Sequence, residues 1–206
     1  MKKVLLGAVG AFVLSAGAAY AQSNNDVDIE QNGANNNAEV DQTAAWGDNN
    51  DTDVTQNGSG NDAYVEQRGG NGDINVDQNG SRNVAEVVQS PFAGDVDIRQ
   101  SGTRNFADVD DFGGGSGEDL DIRQAGSGND AYIRTIGGAT NNDYLIEQNG
   151  TRNVADVLAT TSGADGNDAR VTQNGRNNYA GVNQANLNNS ATVLQNGSGN
   201  TAFVNQ

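Results

Sequence analysis

The stretch Val27–Gln42, VDIEQNGANNNAEVDQ, contains a pattern that recurs throughout the chain. A leading Gln is followed by a Gly two residues later, an Asn five residues later and an Ala seven residues later. Eight copies keep all four positions, and successive copies lie 22 to 25 residues apart. A fixed period of this length is typical of stacked repeat architectures. The leading glutamines are Gln31, Gln56, Gln78, Gln100, Gln124, Gln148, Gln173 and Gln195.

Each repeat is predicted to form two strands joined by a turn. In the first copy, Val27, Ile29 and Gln31 share one face of an extended segment, while Asp28 and Glu30 share the other. The same alternation follows the Gly-x-x-Asn segment, and a period of two is typical of strands with one buried face. The Gly supplies the positive φ that such a turn needs. The turn glycines are Gly33, Gly58, Gly80, Gly102, Gly126, Gly150, Gly175 and Gly197.

Two all-β folds fit this repeat. Asn-Gly pairs such as Asn32-Gly33 could mark antiparallel hairpins of a membrane barrel. The segments are shorter than the ~9–11 residues of a spanning strand, however, and neither face is apolar enough for lipid. We therefore expect a β-solenoid in which each repeat is one rung, and in which the rungs form two facing parallel sheets that become cross-β when polymerised. The rungs are expected at about 24–42, 50–67, 72–89, 94–111, 118–135, 142–159, 167–184 and 189–206.

Stacking places equivalent residues above one another, about 4.8 Å apart. The inward apolar residues then form two walls, which begin with Ile29 and Val40 and have the repeat Ala between them. An inward Gln without a partner would cost ~1–3 kcal/mol, but in a column each carboxamide can donate to the next. The closing glutamines are predicted to form a second column, Gln42, Gln67, Gln89, Gln184 and Gln206. The turn asparagines are predicted to form a third, Asn36, Asn61, Asn83, Asn105, Asn129, Asn153, Asn178 and Asn200.

Residues 1–21 have the features of a secretory signal peptide. Lys2 and Lys3 precede an apolar stretch at residues 4–14, and Ala19-Tyr20-Ala21 is a small-x-small cleavage site. The apolar stretch is shorter than the ~20 residues of a membrane span. We therefore expect cleavage after Ala21, export, and a single solenoid domain at residues 22–206 without a membrane span.

Charge and composition argue against several classes of protein. The chain has 27 Asp and Glu against 11 Lys and Arg, and without Lys2 and Lys3 its net charge is −18. Nucleic-acid binding needs clustered positive charge, so no nucleic-acid partner is expected. The sequence contains no His or Cys, and no phosphate-binding or nucleophile motif. We therefore expect no enzymatic activity, with no catalytic residues, no metal and no cofactor.

The two ends of the predicted stack are expected to be open. Monomeric solenoids need terminal caps, whereas the first repeat begins close to Ala21 and the last reaches Gln206. Unpaired strands are templates for further pairing. Because a head-to-tail contact between such ends does not close, we expect a filament. The alternative is a monomeric secreted β-solenoid that acts as an adhesin or surface-binding protein.

The repeat Gln-x-Gly-x-x-Asn-x-Ala-x-x-x-Gln resembles the curlin repeat of the curli functional-amyloid subunits of Gram-negative bacteria. The resemblance covers nearly all of residues 22–206. It implies a secreted subunit that polymerises at the cell surface into amyloid fibres of the biofilm matrix, which serve adhesion. It also implies passage through a dedicated outer-membrane channel with accessory chaperones. Whether the chain would be the major subunit or the nucleator stays open, because both use the same repeat.

The sequence departs from the family pattern in three respects. The closing Gln is replaced in repeats four to six by Asp111, Thr135 and Ala159, so one amide column is expected to be interrupted. The Gly-rich leader typical of the major subunit is not evident, which leaves the export route open. The family often has Ser six residues before the leading Gln, where this chain has Asn25, Asn50, Gly72, Gly94, Glu118, Asn142, Asn167 and Asn189.

Charges on the outer face vary along the stack. The residue before the leading Gln is Asp77, Arg99, Arg123 and Glu147 in repeats three to six. In register, Asp77 with Arg99 and Arg123 with Glu147 would attract, while the two arginines would repel. We predict that repeats four to six order slowly and that their charge delays aggregation during export. A solvated face with drifting charges is the alternative.

Overall fold

The computed structural model describes residues 3–6, 25–42, 49–90, 94–113, 116–138, 140–160 and 166–206, which form two parallel β-sheets. The first sheet contains β1 (Lys3–Leu6), β2 (Asp26–Ala34), β4 (Asp51–Ser59), β6 (Asp73–Ser81), β8 (Gly94–Thr103), β10 (Glu118–Ser127), β12 (Asp143–Thr151), β14 (Asp168–Arg176) and β16 (Ser190–Ser198). The second contains β3 (Asn37–Gln42), β5 (Asp62–Gln67), β7 (Val84–Gln89), β9 (Phe106–Gly113), β11 (Asp130–Gly137), β13 (Val154–Ala159), β15 (Tyr179–Gln184) and β17 (Thr201–Asn205).

Equivalent positions of successive repeats lie opposite each other in both sheets. Ile29 pairs with Val54, and Gln31 pairs with Gln56. The two strands of one repeat, such as β2 and β3, belong to different sheets, so each repeat is one rung. Because equivalent strand residues pair with each other in successive rungs, the differences in repeat length fall in the connectors between the rungs. The predicted β-solenoid with two facing parallel sheets is confirmed.

The apolar walls lie between the two sheets, because the inward position recurs at every second residue of each strand. The repeat alanines from Ala38 to Ala180 are buried between the walls, and Ala202 of the last rung is partly buried. The first wall contains Ile29, Val54, Val76, Ile98, Ile122, Ile146, Val171 and Val193. The second contains Val40, Val65, Val87, Val109, Ile133, Val157, Val182 and Val204. Only the end members Ile29, Val40 and Val204 are partly exposed, so the walls form one continuous core.

The turns explain why each repeat needs a Gly. Gly33 has a φ of 122°, a region that side chains rarely adopt. The rungs also approach closely here, because a Cβ placed on Gly33 would lie 1.8 Å from the carbonyl oxygen of Gly58. The same contact recurs along the glycine column as far as Gly175. Any side chain at these positions would push neighbouring rungs apart.

β1 lies inside the predicted signal peptide and pairs in parallel with β2, with Leu6 opposite Gln31. The remainder of that predicted segment, and the predicted cleavage site after Ala21, lie outside the described residues. Within the described ranges every regular element is a strand, and we find no helix able to cross a membrane.

Candidate functional site in the stacked amide columns

The eight leading glutamines form one continuous column between the sheets. Gln31 Nε2 donates to Gln56 Oε1 at 2.6 Å, and Gln56 Nε2 donates to Gln78 Oε1 at 2.8 Å. All eight side chains are buried. The remaining bonds, of 2.8–2.9 Å, run in the same direction through Gln100, Gln124, Gln148, Gln173 and Gln195. The hydrogen bonds of the column therefore all have one direction, so that its Gln31 end presents an acceptor oxygen and its Gln195 end presents an N–H donor.

The same amide groups also join the two sheets. Gln56 Nε2 donates to Asn37 O at 2.7 Å, and Gln78 Nε2 donates to Asp62 O at 2.9 Å. Each acceptor is the first residue after the turn in the preceding rung, and the bond recurs up to Gln195. One carboxamide therefore links two rungs along the axis and two sheets across the core. This arrangement removes the cost of burying an unpaired amide.

The turn asparagines form a column with a different bonding pattern. Asn36 Oδ1 accepts the backbone N–H of Asn61 at 3.1 Å, and the bond recurs up to Asn200. Asn36 Nδ2 donates to the carbonyl oxygen of Gly58 at 3.3 Å, again repeatedly. The sequence predicted amide-to-amide stacking, whereas backbone groups supply most partners. Direct side-chain bonds are made by Asn105, Asn129 and Asn178.

The closing glutamines form a column at each end of the stack. Gln42 Nε2 donates to Gln67 Oε1 at 3.1 Å, and Gln67 Nε2 donates to Gln89 Oε1 at 3.0 Å. At the other end, Gln184 Nε2 reaches Gln206 Oε1 at 3.4 Å. The structure thus places these five glutamines in two separate groups, with three rungs between them.

The interruption between these groups holds a buried polar cluster. Asp111, Thr135 and Ala159 are buried where the closing Gln would lie, and Thr135 Oγ1 donates to Asp111 Oδ1 at 2.6 Å. Glu118, only 3% exposed, accepts a bond from Asn142 Nδ2 at 3.2 Å. Burial, together with the adjacent Asp111 carboxyl, raises the pKa of Glu118 to about 8. The protonated form of Glu118 is therefore favoured inside the folded stack at neutral pH.

Tyr144 is the largest side chain of this region and is fully buried. It occupies an inward position that holds Leu120 in the preceding rung and Ala169 in the following one. Burial, and then the nearby Glu118 carboxyl, raises the pKa of its phenol. The smaller Ala169 leaves room for the ring.

One asparagine column was not predicted from the sequence. Asn50 N–H is bonded to Asn25 Oδ1 at 3.1 Å, and Asn167 N–H to Asn142 Oδ1 at 2.9 Å. Asn189 N–H continues the pattern to Asn167 Oδ1 at 2.8 Å. The signal was the Asn found in five of the eight repeats at this position.

The ion pairs on the outer face differ from the expected ones. Asp77 does lie beside Arg99, and Arg123 beside Glu147, in the strand register. The arginines nevertheless pair with an aspartate two residues earlier in their own strand, which lies on the same face. Arg99 pairs with Asp97 and Arg123 with Asp121, whereas Glu147 of β12 pairs with Arg170 of β14. Arg99 and Arg123 are thus each held within their own strand, and each of these two adjacent arginines has its own counter-charge.

Comparison with known proteins agrees with this geometry. The Curlin associated repeat family matches residues 47–80. The matched segment contains the whole second rung and most of β6 in the third. No curated protein matches the chain. Because the other rungs keep the same four positions and the same strand pairing, the chain is a curlin-repeat protein.

Proposed function

We propose that this chain is the structural subunit of an extracellular curli-type amyloid fibre, which grows by head-to-tail stacking of solenoids. The fibre would serve the biofilm matrix and adhesion to surfaces. The observation that carries the proposal is the continuity of two columns, because the leading Gln and the turn Asn of each rung present to the next rung the same hydrogen-bonding groups that they receive from the one before. A second copy can therefore continue the stack without any new type of contact.

The polarity of the glutamine column supports this joint. Gln195 Nε2 donates to Tyr179 O, and its side chain lies in the last described rung. Inside the stack, the equivalent Nε2 also donates to the Oε1 of the following Gln. At the opposite end, Gln31 Oε1 receives no hydrogen bond from any of the described residues. Gln195 of one copy can thus donate to Gln31 of the next.

The turn asparagines match in the same way. Asn178 Nδ2 donates to Gly197 O at 3.1 Å, and Asn178 Oδ1 accepts the N–H of Asn200. In a head-to-tail joint, Asn200 would make these two bonds to Gly33 and Asn36 of the next copy. Two columns therefore define the same register, which favours one axial alignment over a slipped one.

Removal of the predicted signal peptide would expose the strand edge that forms the head-to-tail joint. β1 pairs with the edge of β2 that lies away from β4. Cleavage after Ala21 would release β1 and expose this edge of β2 for pairing with β16 of another copy. Export would then precede polymerisation.

The curlin-repeat family suggests the setting of this activity. The repeats are associated with extracellular curli fibres, so we place the chain outside the cell after passage through the periplasm. Its partners would be further copies of itself, a nucleator or major subunit with the same repeat, and a curli-type secretion channel with chaperones. The buried columns leave the chemistry of the chain structural, so we propose no enzymatic role.

The experiment is to dilute purified residues 22–206 from denaturant and to follow thioflavin fluorescence, electron micrographs and fibre diffraction. A lag followed by unbranched fibres with a meridional reflection at about 4.7–4.8 Å would support the proposal. A folded, β-rich chain that stays monomeric would contradict it and would favour the secreted adhesin.

A pair of variants tests the head-to-tail joint itself. Gln195→Lys removes the oxygen that accepts the bond from Gln173 and brings a charge to the buried joint, so the fibre should grow at least about tenfold more slowly, the effect of roughly 1.4 kcal/mol. Asn196→Lys introduces the same charge on the outer face of the same strand, where Asn196 is exposed. Equal growth rates for the two variants would argue against this joint.

A further inference from the structure

The edge of the solenoid at the Gly-x-x-Asn turns carries four arginines, which we call the arginine edge. Arg82, Arg104 and Arg152 lie four residues after the leading Gln, and Arg176 lies three residues after it. All four side chains are exposed. Arg82 and Arg104 belong to adjacent rungs, as do Arg152 and Arg176. The arginines therefore form two close pairs along the axis, with side chains that reach into solvent.

The backbone of the arginine edge is unusual for these residues. Arg82, Arg104 and Arg152 have φ values of 57°, 56° and 54°, in the left-handed region that favours Gly and Asn. Gly60 and Asn35 occupy the same position in other rungs. A hydrogen bond from each arginine N–H to the preceding turn holds this conformation, at about 3.0 Å. Long cationic side chains are thus present where the local backbone preference would select other residues.

The turns that carry the arginines contain no carboxylate of their own. Asp62 and Asp130 lie in neighbouring rungs, in the strands that follow the turns, and form no ion pair with these arginines. The five residues after each leading Gln include no Asp or Glu in any of the eight repeats. Residues six positions after the leading Gln in the arginine-bearing rungs are also uncharged: Val84, Phe106, Val154 and Tyr179. The five other arginines all pair with carboxylates of the sheet faces, whereas these four make no ion pair with any described residue.

A complementary line of charge runs along the other end of the first sheet. Seven successive rungs have an exposed Asp five residues before the leading Gln, and we call this line the aspartate column. Its members are Asp26, Asp51, Asp73, Asp95, Asp119, Asp143 and Asp168. They are neighbours in the strand register and make no ion pair with described residues. Burial and neighbouring aspartates raise the pKa of Asp73 and Asp119, which agrees with mutual repulsion along the column.

We propose that the arginine edge of one filament binds the aspartate column of a neighbouring filament of this same chain, so that lateral bundling of the fibres is built into the fold. The inference rests on the proposed function, since it requires the stacked filament. Both lines run along the axis and repeat with the rungs. Because the first seven rungs offer an Asp and only the eighth, with Ser190, does not, several whole-rung shifts between the two filaments still place both arginine pairs opposite carboxylates.

The ionic strength decides whether such contacts can act between chains that are negative overall. At about 0.15 M salt the Debye length is about 8 Å, so repulsion between whole filaments is screened while contacting pairs still attract. At about 1 M salt it is about 3 Å, and the pairs weaken as well. Single exposed pairs are weak, but each added subunit repeats them along the filament. Bundles should therefore form at moderate salt and separate at high salt.

The test compares fibres of residues 22–206 with fibres of an edge variant, R82N/R104N/R152N/R176S. Asn and Ser occur at these same positions in other repeats, so the turns keep residues that they already accept. Bundles are counted by electron microscopy and by low-speed sedimentation. The edge variant should polymerise normally but give single filaments, with roughly a tenfold loss of sedimenting bundles at moderate salt.

A matched control separates the edge from the net charge. R68Q/R99Q/R134Q/R170Q removes the same number of positive charges from the sheet faces and should still bundle.

A second variant, D51N/D73N/D95N/D119N, removes charge from the aspartate column and should form single filaments too. Mixing it with the edge variant should restore association, since each supplies the surface that the other lacks. Single wild-type filaments, bundling of the edge variant, or equal dispersal of the control would overturn the inference. A failure of all chains to form fibres would instead contradict the proposed function.

Discussion

At the scale of single residues, the stack makes buried amides favourable. A carboxamide has two donors and two acceptor lone pairs, and the inward Gln of an inner rung uses both donors. Gln100 Nε2, for example, donates to Gln124 Oε1 at 2.9 Å and to Val84 O at 2.8 Å. A buried charge has no comparable solution, because a column of identical carboxylates would repel. Burial raises the pKa of Asp108 to about 6 and that of Glu118 to about 8, so among the described carboxyl groups the ionisation of Glu118 opposes folding most.

The ionisation of Glu118 predicts that the fibre is more stable in acid. Its pKa is about 8 in the folded stack, against an ordinary value of 4.5, so the stabilisation by the bound proton is complete below about pH 4.5 and is lost as the pH rises toward 8. Each unit of difference between these pKa values is worth about 1.4 kcal/mol. Denaturant midpoints of fibre dissolution should fall over this range of pH.

Glu118→Asn should remove most of that pH dependence, because five other repeats already have Asn at this position. Glu86→Gln, a change of an exposed glutamate on the outer face, is the matched control; it removes one charge beside Asp108 and should leave most of the dependence in place. A wild-type midpoint that does not vary with pH would contradict the buried-carboxyl explanation.

At the scale of the rung, the Gly turn sets how closely two repeats can approach. A Cβ on Gly102 would lie 2.0 Å from Gly126 O, and the φ of 111° is strained for any side chain. The Asn five residues after the leading Gln then bonds across this narrow gap, to the glycine carbonyl of the next rung. The turn therefore acts as part of the stacking contact and not merely as a chain reversal.

Gly102→Ala should destabilise the stack by more than about 1 kcal/mol, since both the backbone conformation and the contact with Gly126 are lost. The change should appear as a longer lag and a lower denaturant midpoint of the fibres. Gly138→Ala is a suitable control, because a Cβ there has no atom within 4 Å. Equal effects of the two substitutions would show that the glycine column is not a close contact.

At the scale of the whole molecule, the eight rungs are not equally suited to stacking. The middle rungs lack the closing Gln, bury Asp111 and Glu118, and carry two adjacent outer arginines, Arg99 and Arg123. The outer rungs have the more regular columns. Because a rung gains most of its stability from its neighbours, order is expected to spread from favourable rungs toward the middle.

Deleting residues 118–141, one complete period in the middle, should therefore shorten the lag of polymerisation. The deletion brings Asn142 into the place of Glu118 and removes Arg123 and Thr135. Deleting residues 50–71, a regular period near the start, should not shorten the lag. If the central deletion polymerises no faster than the other, the middle rungs do not slow assembly.

The sequence by itself determined the rungs, because its period of about 22 to 25 residues and its alternation of two assign every strand residue to the core or to the surface. The parallel sheets, the apolar walls and the position of the turns follow from that alternation and from the repeated Gly.

Only the tertiary structure decided which partners the polar residues use. The additional asparagine column, the choice of Asp97 by Arg99, and the contact of Glu118 with the Asp111 region depend on distances across connectors and between adjacent rungs. A periodic pattern specifies the face on which a side chain lies, whereas a hydrogen bond or an ion pair depends on differences of an ångström between the groups on that face.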